Sequence, residues 1–314
     1  QGLNIFMAEV FNQFSDVLGV RLDDYETGAY GDNFAINNFV ENARRSAKIE
    51  INNFKVTSEG ATVPDYLVSA DVKITNLTGH RFPSGVGFRR AFIEFLIIDN
   101  SISVVDNTAK LSKVVWGSGQ TNSVGVIVDG NGNILPSEFL TDGKFQKHRE
   151  TIENPDQVQI YEELTKNAKG EFTTSFTHRD CEVKNNRLLP IGWKKEGPSP
   201  GAIPKAFLEA TYPGELASKD PHYNDGSGTD VVKYRVKLPA GVNPKYVSVQ
   251  ATLYSQAWAP YYLNQRFSNV PDGSEGASRR RLYYLLSNLN VTGTPIEDWK
   301  LELVSATAMQ REVP

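Results

Sequence analysis

Apolar residues near the N-terminus follow a helical period. Between residues 2 and 18 they recur at intervals of three and four, and Gly19 follows at the position where such a helix would end. The same period predicts a second helix from about Asn33 to Ala47, whose apolar side would carry Phe34, Phe39, Val40 and Ala43. We therefore expect residues 1–47 to form a helical leader that packs on a partner or on the rest of the chain.

Beyond Ala47 the period changes from helical to alternating, which is the pattern of β-strands. Tyr66 to Ile74 alternates between apolar and polar residues, and Ala91 to Ile98 is apolar on both faces, as a central strand would be. Further strands are predicted at residues 49–56 (interrupted at 52–53), 113–116, 125–128, 158–163, 171–177, 231–238, 246–254 and 299–304, with a short helix at 280–286. Strands joined by turns predict a mainly β fold over residues 48–314, an antiparallel β-sandwich of immunoglobulin-like or jelly-roll-like form.

Residues 188–230 differ in composition from the predicted strands around them. This stretch is rich in proline and ends in the glycine-rich sequence DGSGTD. Four large apolar residues offer anchors to the rest of the fold: Trp193, Phe207, Leu208 and Tyr212. We therefore expect a long ordered loop that wraps the sandwich rather than a linker between domains.

Composition removes several classes of protein. The 314 residues carry a net charge of −4 with both signs mixed along the chain, which argues against nucleic acid as a partner. No apolar run approaches the ~20 residues that span a bilayer. Cys181 is the single cysteine, so the chain holds neither an internal disulfide nor a Cys-x-x-Cys-His haem attachment motif. A start at Gln1, without an initiator Met, predicts an exported and processed chain in the periplasm or outside the cell.

The most informative segment for chemistry is TNLTGHRFPSGVGFRR at residues 75–90. It joins the clearest predicted strand to the apolar one, and its proline and glycines restrict its conformation. His80 stands there among Arg81, Arg89 and Arg90, which predicts a ligand or anion site. The residue types alone favour a structural interpretation, in which the arginines pair with acidic residues.

This segment resembles one found after the haem-binding region of many bacterial multihaem c-type cytochromes, Asn-x-x-Gly-His-x-Phe-Pro-Ser-Gly followed by Arg-Arg. Stretches at 116–122, 156–162, 186–193 and 261–267 are similar to the same C-terminal regions, so the resemblance spans nearly the whole chain. It implies that His80 is a distal axial ligand of a haem c, and that Arg81, Arg89 or Arg90 pairs with the haem propionates. Because this chain lacks the attachment motif, another segment or chain would hold that haem covalently.

Two acidic, glycine-rich turns suggest calcium. Asp225 and Asp230, with the carbonyls between them, predict a Ca²⁺ site in a loop that is otherwise hard to order, and a flexible turn is the alternative. The sequence DGNGN at 129–133 lacks the Gly and Glu that complete an EF-hand loop, so it predicts a tight hairpin turn.

The remaining histidines and the cysteine give no clear catalytic set. His148 is expected in a solvated loop and His222 at a structural or surface position. His178 with Cys181 would need a third member that the sequence does not identify, so Cys181 is expected to be a small buried residue. No paired carboxylates, phosphate loop or serine elbow is readable, so we do not expect an enzyme.

Two functions therefore remain in view. The first is an accessory or assembly domain of an extracytoplasmic multihaem electron-transfer system, partnered by a haem-bearing segment or subunit in a homo- or hetero-oligomer. The second is a secreted carbohydrate-binding or adhesive module, because the aromatic run at 258–262, with Tyr283 and Tyr284, offers flat rings for sugars. A haem partner predicts visible absorbance in the native complex, whereas the second function predicts a colourless protein retained on polysaccharide.

Overall fold

A computed structural model describes residues 2–19, 31–59, 65–101 and 113–310 of the chain. The N-terminal segment contains two helices, α1 (Gly2–Leu18) and α2 (Gly31–Arg44), which confirms both helices that the apolar period predicts. Gly19, directly after α1, has a φ of 66°, a left-handed conformation that glycine adopts without strain and that ends the helix.

Strands supply the framework of the remaining described chain. They are β1 (Ala47–Glu59), β2 (Asp65–Asn76), β3 (Arg90–Asp99), β4 (Lys113–Ser118), β5 (Thr151–Ile152), β6 (Ile160–Tyr161), β7 (Glu163–Lys166), β8 (Phe172–Thr173), β9 (Cys181–Asn185), β10 (Thr229–Lys237), β11 (Val247–Gln256) and β12 (Leu301–Met309). The other helices are α3 (Lys205–Glu209), α4 (Glu215–Lys219), α5 (Pro260–Phe267) and α6 (Ser274–Ser287).

The described strands form two large sheets and one small one. The first has the order β1-β2-β10-β5 and is antiparallel except for its β10–β5 pair. The second has the antiparallel order β12-β11-β3-β4, and β6 also pairs with β3. The small sheet has the order β8-β7-β9. Because β2 and β3 belong to different large sheets, the loop between them crosses from one sheet to the other.

The two large sheets pack face to face around a shared hydrophobic core. Every second residue of β2 from Val68 to Ile74 is buried, and β3, β10 and β11 contribute alternating buried residues to the same core. Phe95 of β3 stacks on Tyr234 of β10, with ring centroids 3.9 Å apart and planes 12° from parallel. This contact joins the sheets, and the predicted mainly β, sandwich-like fold is confirmed.

Several strand predictions differ in detail from the structure, and the strand predicted at 171–177 is reduced to β8. The predicted interruption of the first strand is a β-bulge, because the register with β2 shifts between Asn52 and Lys55 while Asn53 has a φ of 53°. Residues 125–128 form isolated bridges rather than a strand. The chain turns there at Gly125, whose φ is 75° and where a Cβ would lie 2.7 Å from Cβ of Trp299.

The helical content is larger than the sequence pattern predicts. The aromatic run at 258–262 leads into α5, and Pro260 occupies its first turn, where the fixed φ of proline suits a helix. α6 begins at Ser274 rather than at residue 280, with Glu275 in its first turn near the positive end of the helix dipole. The predicted long loop at 188–230 contains the short helices α3 and α4.

α1 packs on one end of the sandwich. Phe6 contacts the rings of Trp258 and Trp299, with centroids 5.0 and 5.3 Å away, and lies in the shared core. In α2, Ala43 is buried but Phe34 is 61% exposed, so the prediction that both lie on one apolar side is wrong. None of the described helices combines the length and the apolar character that crossing a bilayer requires.

Candidate functional site

Asn76, the last residue of β2, organises the loop that follows it. Its fully buried side-chain amide donates to the carbonyls of His80 (2.8 Å), Leu189 (3.1 Å) and Leu188 (3.2 Å). Its Oδ1 accepts from the backbone N–H of Thr78 (2.9 Å) and from the Thr78 hydroxyl (2.7 Å). One side chain therefore fixes the start of the loop and ties it to the segment at 188–189.

Two further contacts hold the same loop against the long loop at 188–230. Phe82 and Leu188 exchange backbone hydrogen bonds of 2.9 and 2.8 Å. The Arg81 guanidinium donates to the backbone carbonyls of Thr211 and Tyr212. Burial lowers the pKa of Arg81 from its ordinary value. The loop that carries His80 is therefore clamped at three points.

The imidazole of His80 is exposed and held in a defined tautomer. Nδ1 lies 2.9 Å from the Arg81 carbonyl oxygen and 3.2 Å from the Thr78 hydroxyl. Because a carbonyl oxygen only accepts hydrogen bonds, Nδ1 carries the proton and Nε2 carries the lone pair. A backbone hydrogen bond at one ring nitrogen is the usual way that proteins orient a metal-ligating histidine. His80 is therefore arranged to offer Nε2 to an acceptor of electron pairs.

His80 lies at a cleft of about 300 Å³, which we call the His80 cleft. The cleft is bounded by the loop after β2, the first turn of α1, the end of α2, and strands β11 and β12. Its lining residues are Gly2, Leu3, Asn42, Ala43, Arg45, Ser46, Thr78, His80, Phe82, Pro83, Ser84, Arg89, Ser255, Ala257, Leu301 and Leu303. His80 and Arg89 therefore share one cavity, as a joint ligand site requires.

Arg90, by contrast, is a structural residue. It is 1% exposed, and its guanidinium forms a two-pronged ion pair with Glu138, with N···O distances of 2.8 and 2.6 Å. Its Nε donates to Gln256 at 2.8 Å. A propionate cannot reach a group enclosed in this way, so this geometry gives no support to the predicted role of Arg90 in haem binding. Glu138 also accepts from the backbone N–H of Ile127, at 2.9 Å.

The two carboxylates predicted to bind calcium do not converge. Asp225 is exposed, and its Oδ1 accepts from the backbone N–H of Ser227 at 2.8 Å in a local turn. Asp230 is fully buried, and its Oδ2 accepts from the Tyr161 hydroxyl (2.8 Å) and from Gln159 (3.0 Å). The arrangement of these residues gives no support to a shared Ca²⁺ site. The DGNGN sequence does form the predicted turn, in which Oδ1 of Asp129 accepts two backbone N–H groups.

His148, expected in a solvated loop, is instead buried in a polar network. Its Nδ1 lies 2.9 Å from Nε2 of Gln159 and 3.3 Å from Nδ2 of Asn186. Its Nε2 lies 3.2 Å from Oδ2 of Asp220. Together with Asp230, these imidazole and carboxylate atoms lie within 4.8 Å of one another, which is close enough for a metal ion.

The amide orientations argue against a metal at this network. The backbone N–H of Arg149 donates to Oε1 of Gln159, and that of Glu162 donates to Oδ1 of Asn186. Both amides therefore present N–H groups to His148, so Nδ1 accepts and Nε2 carries the proton. A neutral imidazole that binds a metal through Nε2 carries its proton on Nδ1. Here Nδ1 faces the N–H groups of two amides, so a proton on it would meet donors instead of an acceptor. The residues fit a structural network better than a metal site.

The two carboxylates of this network have pKa shifts of opposite direction. Burial, reinforced by Asp220, raises the pKa of Asp230 above its ordinary 3.8 despite the attraction of His148. Burial also opposes ionisation of Asp220, but hydrogen bonds from His148 and from the backbone N–H of His222 outweigh it and lower the pKa of Asp220. Oδ1 of Asp230 has no hydrogen-bond partner among the described residues.

Cys181, the candidate nucleophile of the sequence, does not belong to a catalytic arrangement in the described structure. Cys181 is exposed at the start of β9, contrary to the expectation that it is buried, and His178 is exposed in a turn nearby. Exposure of the thiol follows from the position of β9 at the edge of the small sheet, away from the shared core.

Comparisons with known proteins give one distant likeness. No family model and no curated protein matches the chain. Among solved structures, the chain is similar to a penta-haem cytochrome c552 from Thermochromatium tepidum, at 15% identity and a TM-score of 0.38. The match covers 85% of this chain and 40% of that protein, so this chain spans less than half of its length. A likeness at this level does not by itself assign a function.

Proposed function

We propose that this chain is an accessory domain of an extracytoplasmic multihaem cytochrome system, in which His80 supplies a distal axial ligand to a haem c. Another segment or chain holds that haem by its thioether bonds, because this chain has no attachment motif. The observation that carries the proposal is the 2.9 Å contact between Nδ1 of His80 and the Arg81 carbonyl oxygen, which orients the ring and leaves Nε2 as the ligand atom. The resemblance of residues 75–90 to multihaem cytochromes supports the choice of haem.

The chemistry of the cleft is consistent with this role. Neutral imidazole is a good axial ligand of haem iron, and a second axial ligand favours electron transfer over substrate binding. The clamped loop holds the imidazole in place before the iron arrives, so less conformational entropy is lost on ligation. Apolar residues of the cleft, such as Leu3, Phe82 and Leu301, would cover the haem edge and exclude water.

A haem c peptide with one histidine ligand and an exchangeable water at the sixth position tests the proposal. We expect the chain to convert the peptide from a high-spin to a low-spin, two-histidine spectrum, because Nε2 of His80 replaces the water. The His80→Ala variant should lose the conversion, whereas His178→Ala, which removes another exposed imidazole, should keep it. Equal conversion by the wild type and His80→Ala would contradict the proposal, as would no conversion at all.

A second cleft favours the alternative, a carbohydrate-binding module. It has a volume of about 660 Å³ beside the edge strand β4 and contains one indole among many amides and carboxylates. Its polar and aromatic side chains are Trp116, Gln120, Asp129, Asn131, Asn154, Asp156 and Gln157. Such groups hydrogen-bond sugar hydroxyls, and an indole covers a sugar face. Of the aromatic residues that the sequence offers for sugars, Trp258 and Tyr261 are buried, Tyr262 is partly buried, and Tyr283 and Tyr284 are exposed.

Affinity electrophoresis through gels containing soluble polysaccharides tests this alternative. If it holds, Asn131→Ala together with Asp156→Ala should abolish the retardation that wild-type protein shows. The pair Tyr283→Ala and Tyr284→Ala, outside the cleft, should leave retardation unchanged. Wild-type mobility that no polysaccharide alters would rule the alternative out.

A further inference from the structure

The charged side chains that line the His80 cleft are arginines, although the whole chain has a net charge of −4. Arg45, His80 and Arg89 line it, and its lining in the described part of the chain includes no aspartate or glutamate. Arg45 already has a counter-ion, because its guanidinium pairs with Glu41 one turn earlier on α2. An anionic ligand therefore meets in this cleft one guanidinium, that of Arg89, that has no carboxylate partner among the described residues.

The donors of Arg89 are largely unused. Its Nε is buried and has no hydrogen-bond acceptor among the described residues. Its Nη1 makes one long contact of 3.4 Å, to the Ser84 carbonyl. Gly85, with a φ of 84°, covers the guanidinium closely, since a Cβ there would lie 2.6 Å from Nη1. Within the described chain the guanidinium therefore has one long contact at Nη1 and one unsatisfied buried nitrogen, Nε, and an unsatisfied buried donor costs free energy until an acceptor reaches it.

The other two arginines of segment 75–90, unlike Arg89, donate strong hydrogen bonds to protein acceptors. Arg81 donates to two backbone carbonyls, and Arg90 donates to Glu138 and Gln256. Of the three arginines in segment 75–90, Arg89 alone combines a place in the cleft with a buried, unpaired nitrogen.

We infer that Arg89 is a carboxylate receptor, which binds the acidic end of a ligand whose apolar body lies on the cleft wall. The apolar part of that wall consists of Leu3, Phe82, Pro83, Ala257, Leu301 and Leu303. The inference rests on the proposed function for the identity of the ligand, because there the carboxylate is a haem propionate beside the iron that His80 ligates. A free carboxylic acid with an apolar body offers the same chemistry, and the experiment separates the two sources.

The experiment compares three probes on wild-type protein: the haem c peptide with free propionates, the same peptide with esterified propionates, and hexanoate. Affinity is read from the low-spin spectrum, and contact with Arg89 from the NMR signal of its Nε–H. We expect the free-acid peptide to bind at least about tenfold more tightly than the ester and to shift the Arg89 signal, because charge-assisted hydrogen bonds are lost on esterification. Arg89→Gln should abolish the preference, whereas Arg45→Gln, in the same cleft, should retain it.

Each outcome has a separate meaning for the two proposals. Equal affinity for acid and ester, with a low-spin spectrum in both, overturns the role of Arg89 and leaves ligation by His80 intact. A shift of the Arg89 signal by hexanoate, without a low-spin spectrum from either peptide, supports Arg89 as the receptor of a free carboxylate and overturns the haem ligand. Unchanged signals with all three probes overturn both. The wild-type comparison of acid with ester decides the case even if Arg89→Gln does not fold.

Discussion

At the scale of single residues, the buried carboxylate of Asp230 is the clearest source of pH dependence. Its folded-state pKa is raised from 3.8, so the unfolded chain releases this proton at lower pH than the folded protein does. The stability contributed by Asp230 is therefore complete below about pH 3.8 and is lost as pH rises through the folded pKa. Asp220 has the opposite sign, and its contribution is lost as pH falls below 3.8 toward its lowered pKa.

Replacement of Asp230 by asparagine isolates this effect. The amide oxygen can still accept from Tyr161 and Gln159, but the side chain no longer ionises. We expect the free energy of unfolding of Asp230→Asn, relative to wild type, to increase with pH above 3.8 by about 1–3 kcal/mol. Urea unfolding between pH 3.5 and 8 measures the difference. The control, Asp225→Asn, removes an exposed carboxylate and should run parallel to wild type; a flat difference for Asp230→Asn would contradict the assignment.

Individual site residues were predicted unevenly, for a physical reason. His80 and Arg89 belong to one short segment, so sequence proximity brings them to one loop. His148 lies more than 70 positions before Asp220 and Asp230, and only the folded chain makes them neighbours. No local pattern reveals that a histidine between Lys147 and Arg149 is buried, because its burial depends on the long loop that covers it.

At the scale of elements, the loop between β2 and β3 depends on one side chain. Asn76→Ala would leave the buried carbonyl of Leu189 without this donor and would remove one of the two donors to the Leu188 carbonyl, which keeps the backbone N–H of Phe82. We expect a loss of about 3 kcal/mol of unfolding free energy, as several hydrogen bonds to a buried amide disappear together. Faster hydrogen exchange at the Thr78 amide should accompany it, because that N–H also bonds to Asn76. Urea unfolding and native-state exchange measure the two effects.

The chain offers a matched control for this prediction. Asn290 accepts from the Thr292 backbone N–H at 3.1 Å, the same two-residue turn that Asn76 forms with Thr78, but it is exposed. Asn290→Ala should cost a few tenths of a kcal/mol, because water replaces its partners. If both variants lose similar stability, the turn itself rather than the buried anchoring is what matters.

The alternating strands β2 and β10 were predicted better than the C-terminal helices. Alternation is preserved in β2 and β10 because each has one face in the core and one toward solvent. α5 was missed because its short run, Pro260–Phe267, is rich in aromatic residues that have a low helix propensity. Proline in its first turn was the signal that could have revealed it.

At the scale of the whole molecule, the β-sandwich follows from alternation and turns, but the pairing of its strands does not. β2 pairs with β1 on one side and with β10 on the other, and β3 pairs with β11. In the β2–β10 and β3–β11 pairs the partners lie about 150 to 170 residues apart, for example Lys73 opposite Val231 and Phe95 opposite Ala251. Nothing local in the sequence selects one distant strand over another of similar pattern.

That strand order has a consequence for synthesis on the ribosome. As the chain is synthesised, β1 and β2 can pair early because they are neighbours in the sequence. The other partner of β2, which is β10, and one partner of β3, which is β11, are made much later, so neither sheet is complete before then. Strands that pair over such a sequence distance form slowly, because the entropy of closing the long loop is lost before the stabilising contacts form. During that interval the apolar strand β3 has an open edge, which is a template for unwanted pairing with other chains. Before β11 is available, the free edge of β3 is therefore the place at which an incomplete chain would pair with other chains.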